Sequence, residues 1–309
     1  MTDASNVPRL LLGSCPDSWG VWFADDPLQT PWHRFLDELA DVGYEWLELG
    51  PYGYLPTDPN QLRDELDKRG LKVAGGTMHG QSGLHRAGDF PDIVAGTRKV
   101  AELTRAMGGR HLVFVLVPGY RDDKTGAYTE PGQLDEEGWK TLVYSANELG
   151  KIISAEYGLA LQVHHHADAY VETQEETERF LNDTDPQYVS LCLDTGHLAY
   201  GGGDAPSLIR KYPDRVGYIH IKQMDPAIVE RAKREDMAFG QAVALGCSCE
   251  PPNGLPDINA VAEALQELNE ERFVIVEQDM YPVDFDVPKP IAKRTYDYLR
   301  SVGIGGDGR

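Results

Sequence analysis

The chain has 309 residues, of which 41% are hydrophobic, so it can bury a large core and has the size of a single α/β barrel. Its formal net charge of −21 disfavours binding to nucleic acids and to anionic membranes, because both are negatively charged. No run of 18 apolar residues occurs, and residues 1–8 do not resemble a signal peptide, so we expect a cytoplasmic protein without a membrane span.

Short apolar runs recur along the whole chain, each followed by a polar loop and a helical pattern. There are eight runs, at residues 10–13, 46–49, 71–74, 111–117, 159–163, 189–193, 216–221 and 273–276. Continuous apolar runs are typical of strands buried on both faces of a parallel sheet. The clearest helical patterns lie at residues 31–41, 60–68, 92–107, 136–157, 173–181 and 257–269.

Eight alternating units predict a (β/α)₈ TIM barrel that occupies residues 1–309 as one domain. A doubly wound open sheet is the alternative fold, although no Gly-x-Gly-x-x-Gly turn follows the first run. The longest interval between two runs contains residues 225–256, which are first helical and then rich in Pro and Gly. This segment is predicted to be either a lid over the strand ends or an ordinary surface loop.

Ionisable residues stand where the last four predicted strands end. The fifth strand leads into His164, His165 and His166, and the sixth into Asp194 and His197. The seventh leads into His220 and Lys222, and the eighth into Glu277 and Asp279. A charged residue at the end of a buried strand is costly unless it is paired or coordinated. Four such strands predict a divalent metal at the C-terminal mouth, and a mixed nitrogen and oxygen site suits Mn²⁺, Co²⁺, Zn²⁺ or Fe²⁺ better than Ca²⁺.

Four segments carry a resemblance to a known family. They are residues 13–19 (Gly-Ser-Cys-Pro-Asp-Ser-Trp), 164–173, 191–197 and 220–222. Here the chain resembles the sugar isomerase/epimerase branch of the xylose-isomerase-like barrels, and most closely the inosose (2-keto-myo-inositol) dehydratases. The resemblance implies that Asp194, His220 and Glu277 bind one metal ion. His164 stands where the epimerases carry a further Glu, so the fourth ligand is either His164 or Glu172.

The resemblance implies a metal-dependent lyase that dehydrates a keto-inositol or similar keto-sugar through an enolate, with Mn²⁺ or Co²⁺ preferred and Zn²⁺, Fe²⁺ or Mg²⁺ allowed. Glu277, His166 or Lys222 would be the base and His197 the acid. Trp19, Trp22 and Glu172 would contact the small polyhydroxylated substrate. The alternatives are a keto-sugar isomerase or epimerase, another sugar β-eliminase, and a non-catalytic polyol-binding protein. The sequence leaves open whether the chain assembles as a homo-oligomer.

Overall fold

A computed structural model describes residues 9–79 and 83–306 of the chain. The strands are β1 (Leu10–Ser14), β2 (Trp46–Glu48), β3 (Lys72–His79), β4 (His111–Val115), β5 (Ala160–His164), β6 (Val189–Asp194), β7 (Val216–Ile221), β8 (Gln223–Met224), β9 (Ser248–Cys249) and β10 (Arg272–Val276). Eight of them close a barrel in the order β1-β10-β7-β6-β5-β4-β3-β2, while β8 and β9 form a separate pair. The predicted TIM barrel is confirmed, and the open-sheet alternative is wrong.

Helices surround the barrel strands. They are α1 (Trp32–Val42), α2 (Pro59–Asp67), α3 (Phe90–Ala106), α4 (Glu136–Tyr157), α5 (Gln174–Asp183), α6 (Thr195–Tyr200), α7 (Ala205–Lys211), α8 (Pro226–Arg234), α9 (Phe239–Ala244), α10 (Ile258–Gln266) and α11 (Pro288–Ser301). A capping box precedes α5, in which the side chains of Thr173 and Glu176 each accept from the other residue's backbone N–H. Within the described residues, no helix is both long enough and apolar enough to cross a membrane.

Side-chain alternation along the strands separates the outer core from the barrel interior. On β7, Ile219 and Ile221 pack in the layer beneath the helices, whereas Tyr218 lies in the interior cluster. On β10, Phe273 and Ile275 lie in the same interior cluster. Because alternate residues face opposite sides of a strand, the interior columns continue upward from these apolar side chains to His220 and Glu277. The fold therefore closes the barrel floor with apolar groups and leaves polar groups at the mouth.

The segment 225–256 contains α8, α9 and β9 and packs over part of the mouth. Asp168 Oδ2 accepts a hydrogen bond from the backbone N–H of Phe239 at 2.6 Å, and Arg121 Nη1 lies 3.0 Å from Asp236 Oδ1. The Phe239 ring lies 4.7 Å from the His197 ring, measured between centroids. The segment thus covers His197, and its opening as a lid stays a prediction.

Candidate metal centre

Four buried side chains from neighbouring barrel strands meet at the mouth: His164, Asp194, His220 and Glu277. One nitrogen or oxygen atom from each lies within 4.8 Å of the other three. His164 Nε2 is 3.4 Å from Asp194 Oδ2 and 3.9 Å from Glu277 Oε2. His220 Nδ1 is 4.0 Å from Asp194 Oδ2 and is in direct contact with Glu277 Oε2.

These four residues fit a divalent ion. Within residues 9–79 and 83–306, His220 Nδ1 is buried and makes no hydrogen bond of normal geometry, although it lies against the carboxylates of Glu277 and Asp194. An unpaired buried polar atom is costly, and coordination to a cation would remove that cost. Two imidazoles and two carboxylates form the mixed donor set typical of Mn²⁺, Co²⁺, Zn²⁺ and Fe²⁺ sites.

Glu172, the alternative fourth ligand, is not a member of this cluster among the residues that the structure describes. Its Oε2 accepts a hydrogen bond from the Tyr120 hydroxyl at 2.9 Å. Burial raises the pKa of Glu172 to about 7 even though the hydrogen bond from Tyr120 acts in the opposite direction. The geometry therefore favours His164 over Glu172 as the fourth ligand.

Lys222 lies beside the cluster with its ammonium fully enclosed. Its Nζ is 3.1 Å from Asp194 Oδ2, 2.9 Å from Glu277 Oε1 and 2.8 Å from Asp279 Oδ2. Burial by itself would lower the pKa of Lys222, but the charges of the three carboxylates raise it well above its ordinary value. Lys222 is therefore an ammonium ion that compensates part of the negative charge at the mouth.

His197 and His166 form a close, tilted ring pair beside Lys222. Their ring centroids are 3.9 Å apart, and His197 Nε2 lies 3.0 Å from Lys222 Nζ. The backbone N–H of His197 donates to Asp194 Oδ1 at 2.7 Å, so Asp194 also caps α6. Burial and nearby positive charge lower the pKa of His166 to about 3 and that of His197 well below its ordinary value. Both imidazoles are neutral at physiological pH.

The two predicted aromatic contacts differ in position. Trp19 is fully buried, donates from Nε1 to Glu38 at 2.9 Å and packs edge-on against Phe35. The short turn Pro16–Trp19 directs the ring into the core beneath α1, and contact between Trp19 and substrate stays a prediction. Trp22 is half-buried, its ring lies 5.2 Å from that of Tyr281 in a tilted arrangement, and it packs with the apolar cluster that includes Phe239.

Sequence reasoning missed two buried carboxylates at the mouth. Glu48, at the end of β2, accepts a hydrogen bond from His220 Nε2 at 2.9 Å. Burial, followed by the charges of Glu277 and Asp279, raises the pKa of Asp17 well above its ordinary value. Both residues stand just after or within an early apolar strand. The reasoning that found the last four strand ends would have found them if it had also been applied to the first two.

Comparison with known proteins agrees with this fold. Residues 36–302 match the family model described as "Xylose isomerase-like TIM barrel". The curated "Inosose dehydratase" of Bacillus velezensis is 29% identical over 284 residues, which cover 85% of this chain and 89% of that protein. The one from Geobacillus thermodenitrificans is 27% identical over 301 residues, covering 94% and 97%. The solved structure of the IOLI protein with a binding zinc atom superposes with a TM-score of 0.70 at 17% identity, covering 96% of this chain and 100% of the other. The predicted resemblance is confirmed.

Proposed function

Because this chain belongs to the xylose isomerase-like TIM barrel family, we propose that it is a metal-dependent lyase that dehydrates a keto-inositol or a closely similar keto-sugar. The observation that carries the proposal is the buried cluster of two imidazoles and two carboxylates at the barrel mouth. The choice of substrate is supported by relatives named inosose dehydratase that match along most of the chain.

The proposed metal ligands are His164, Asp194, His220 and Glu277. The bound ion would supply Lewis acidity, which polarises a ketone and stabilises negative charge on the carbon beside it. Zinc is the ion described for the IOLI protein. For this chain, manganese or cobalt as the preferred ion, a cytoplasmic location and assembly as a homo-oligomer stay predictions.

The chain's own residues would move two protons during dehydration. Glu277 is the proposed base: it takes the proton from the carbon beside the ketone, and the C–H electron pair passes into the enolate. The hydroxyl on the next carbon then departs with its bonding pair and accepts a proton, so water is the second product. The predicted acid was His197, but its imidazole is neutral. The ammonium of Lys222, 3.0 Å from His197 Nε2, is the better proton donor, and His197 would orient it.

Dehydration is favoured over epimerisation by the ligand composition. His164 occupies a position from which a carboxylate could serve as a second base, and an imidazole whose lone pair binds a metal cannot accept a proton there. Proton removal from one face suits elimination, whereas epimerisation needs a second group on the opposite face.

The test compares keto-inositol with keto-hexoses in deuterated water. The protein is first stripped with a chelator and then reloaded separately with Mn²⁺, Co²⁺, Zn²⁺ or Mg²⁺. We expect metal-dependent loss of water from keto-inositol, seen as the unsaturated or dione product by ultraviolet absorption and NMR. Inversion at carbon with deuterium uptake and no loss of water would replace the lyase with an epimerase. Full activity without metal would refute the proposal.

A further inference from the structure

Glu48 is a buried carboxylate that lies outside the four proposed ligands. It ends β2, three strands away from β7 around the barrel, and only 2% of its surface is exposed. Its two oxygens have separate partners: Oε2 accepts from His220 Nε2 at 2.9 Å, and Oε1 accepts from the Thr77 hydroxyl at 2.5 Å. Thr77 is itself held in place, since its Oγ1 accepts from the backbone N–H of Gly50 at 3.2 Å.

This arrangement determines which nitrogen His220 can offer to an ion. An ionised carboxylate only accepts hydrogen bonds, so the proton on a neutral His220 ring must be on Nε2. The lone pair is then on Nδ1, which faces the carboxylates of Asp194 and Glu277 and makes no hydrogen bond of normal geometry among the described residues. Without an acceptor at Nε2, the proton could move to Nδ1 and the ring could turn away.

A purely structural role does not account for Glu48. Burying a carboxylate costs several kcal/mol of solvation free energy, and the neighbouring interior positions are filled by apolar residues such as Phe273 and Ile275. A Leu or Val at position 48 would fill such space without that cost. The compensation comes from His220 and Thr77, and of these two only His220 belongs to the proposed metal cluster.

We propose that Glu48 is a positioning residue of the metal centre, which holds the His220 ring in the tautomer and orientation that present Nδ1 to the ion and thereby strengthens metal binding. The inference rests on the metal site of the proposed function but not on the reaction catalysed there. Carboxylates that accept from a ligating histidine typically contribute about 10- to 100-fold to metal affinity.

The experiment measures Co²⁺ and Mn²⁺ affinity of the full chain by competition with a chelating dye, together with the visible spectrum of the Co²⁺ form. Glu48→Ala should weaken both affinities by about 10- to 100-fold and alter the Co²⁺ spectrum. Glu48→Gln keeps an acceptor for Nε2–H and should recover most of the affinity. Thr77→Val removes the other hydrogen bond to Glu48, and Glu45→Gln changes a carboxylate whose side chain is 51% exposed. Both control variants should bind like the unmodified chain.

If Glu48→Ala fails to fold, Glu48→Leu decides the matter, because it fills the space and also removes the acceptor; it should weaken both affinities by about 10- to 100-fold. Equal weakening of ion binding in Glu48→Ala, Glu48→Gln and Thr77→Val, with the same change in their spectra, would show a general packing effect and overturn the inference. An unmodified chain that binds no divalent ion would overturn the inference and the proposed function together. Normal ion binding and dehydration that are insensitive to position 48 would overturn the inference alone.

Discussion

Replacing Lys222 with Met should destabilise the metal-free protein and increase its dependence on metal. Lys222 is 1% exposed, and its Nζ lies within 3.1 Å of carboxylate oxygens of Asp194, Glu277 and Asp279. Met preserves most of the side-chain volume, so the substitution chiefly removes the positive charge. Three buried carboxylates would then face one another without their cation.

The expected loss of stability in Lys222→Met follows from the behaviour of buried ion pairs. Removing one partner typically costs about 3–5 kcal/mol, because the remaining charge is buried without compensation. This is a large fraction of the stability of a folded domain, which is about 5–15 kcal/mol. A divalent ion at the cluster would restore positive charge beside the same carboxylates, so saturating metal should recover more stability in the variant than in the unmodified chain.

Equilibrium urea unfolding, followed by tryptophan fluorescence and circular dichroism, measures this effect in chelator and in excess Mn²⁺. Lys211→Met is the matched control, since it removes an exposed lysine that pairs with Glu178 at 2.6 Å and should leave the midpoint unchanged. The reasoning would be refuted if Lys222→Met unfolded in chelator at the same urea concentration as the unmodified chain. It would also be refuted if Mn²⁺ stabilised both proteins equally.

Three further predictions concern single residues. Asp194→Asn should reduce metal content measured by elemental analysis, because Asp194 is one of two carboxylates in the cluster; full occupancy would exclude it as a ligand. His197→Ala should lower kcat by more than 10-fold while leaving metal content near that of the unmodified chain, because the His197 ring contacts Lys222 and is not among the four clustered ligands; equal loss of both would make it a ligand. Burial lowers the pKa of His111, at the barrel floor, to about 4, whereas an unfolded histidine titrates near about 6.5. Between about pH 4 and pH 6.5, the unfolded chain therefore carries a proton on His111 that the folded chain does not. The stability that the neutral imidazole contributes above about pH 6.5 is lost as the pH falls towards 4. In chelator, His111→Gln should flatten the pH dependence of the unfolding free energy there by about 1.4 kcal/mol per pH unit, and parallel curves would contradict the assignment.

The fold and the proposed ligands could be predicted because both depend on local patterns. Each of the eight apolar runs overlaps one barrel strand, since a strand buried on both faces is mostly apolar. Parallel strands end at the same side of the barrel, so residues that follow successive strands come together whatever the loops do. For this reason His164, Asp194, His220 and Glu277 could be grouped before any distance was known.

Tertiary structure decided what lies across the barrel and which side chains are enclosed. The hydrogen bond between Glu48 and His220 joins residues 172 positions apart, and strand alternation gives the face of a side chain but not its partner on a distant strand. Trp19 was a candidate for sugar binding because it is aromatic and follows the first strand, yet one short turn directs it into the core. Glu172 has a carboxylate that could bind a metal ion, but its loop places that carboxylate against the Tyr120 hydroxyl, from which it accepts a hydrogen bond. Local sequence determines which residues reach the mouth, whereas their mutual distances depend on how the whole barrel closes.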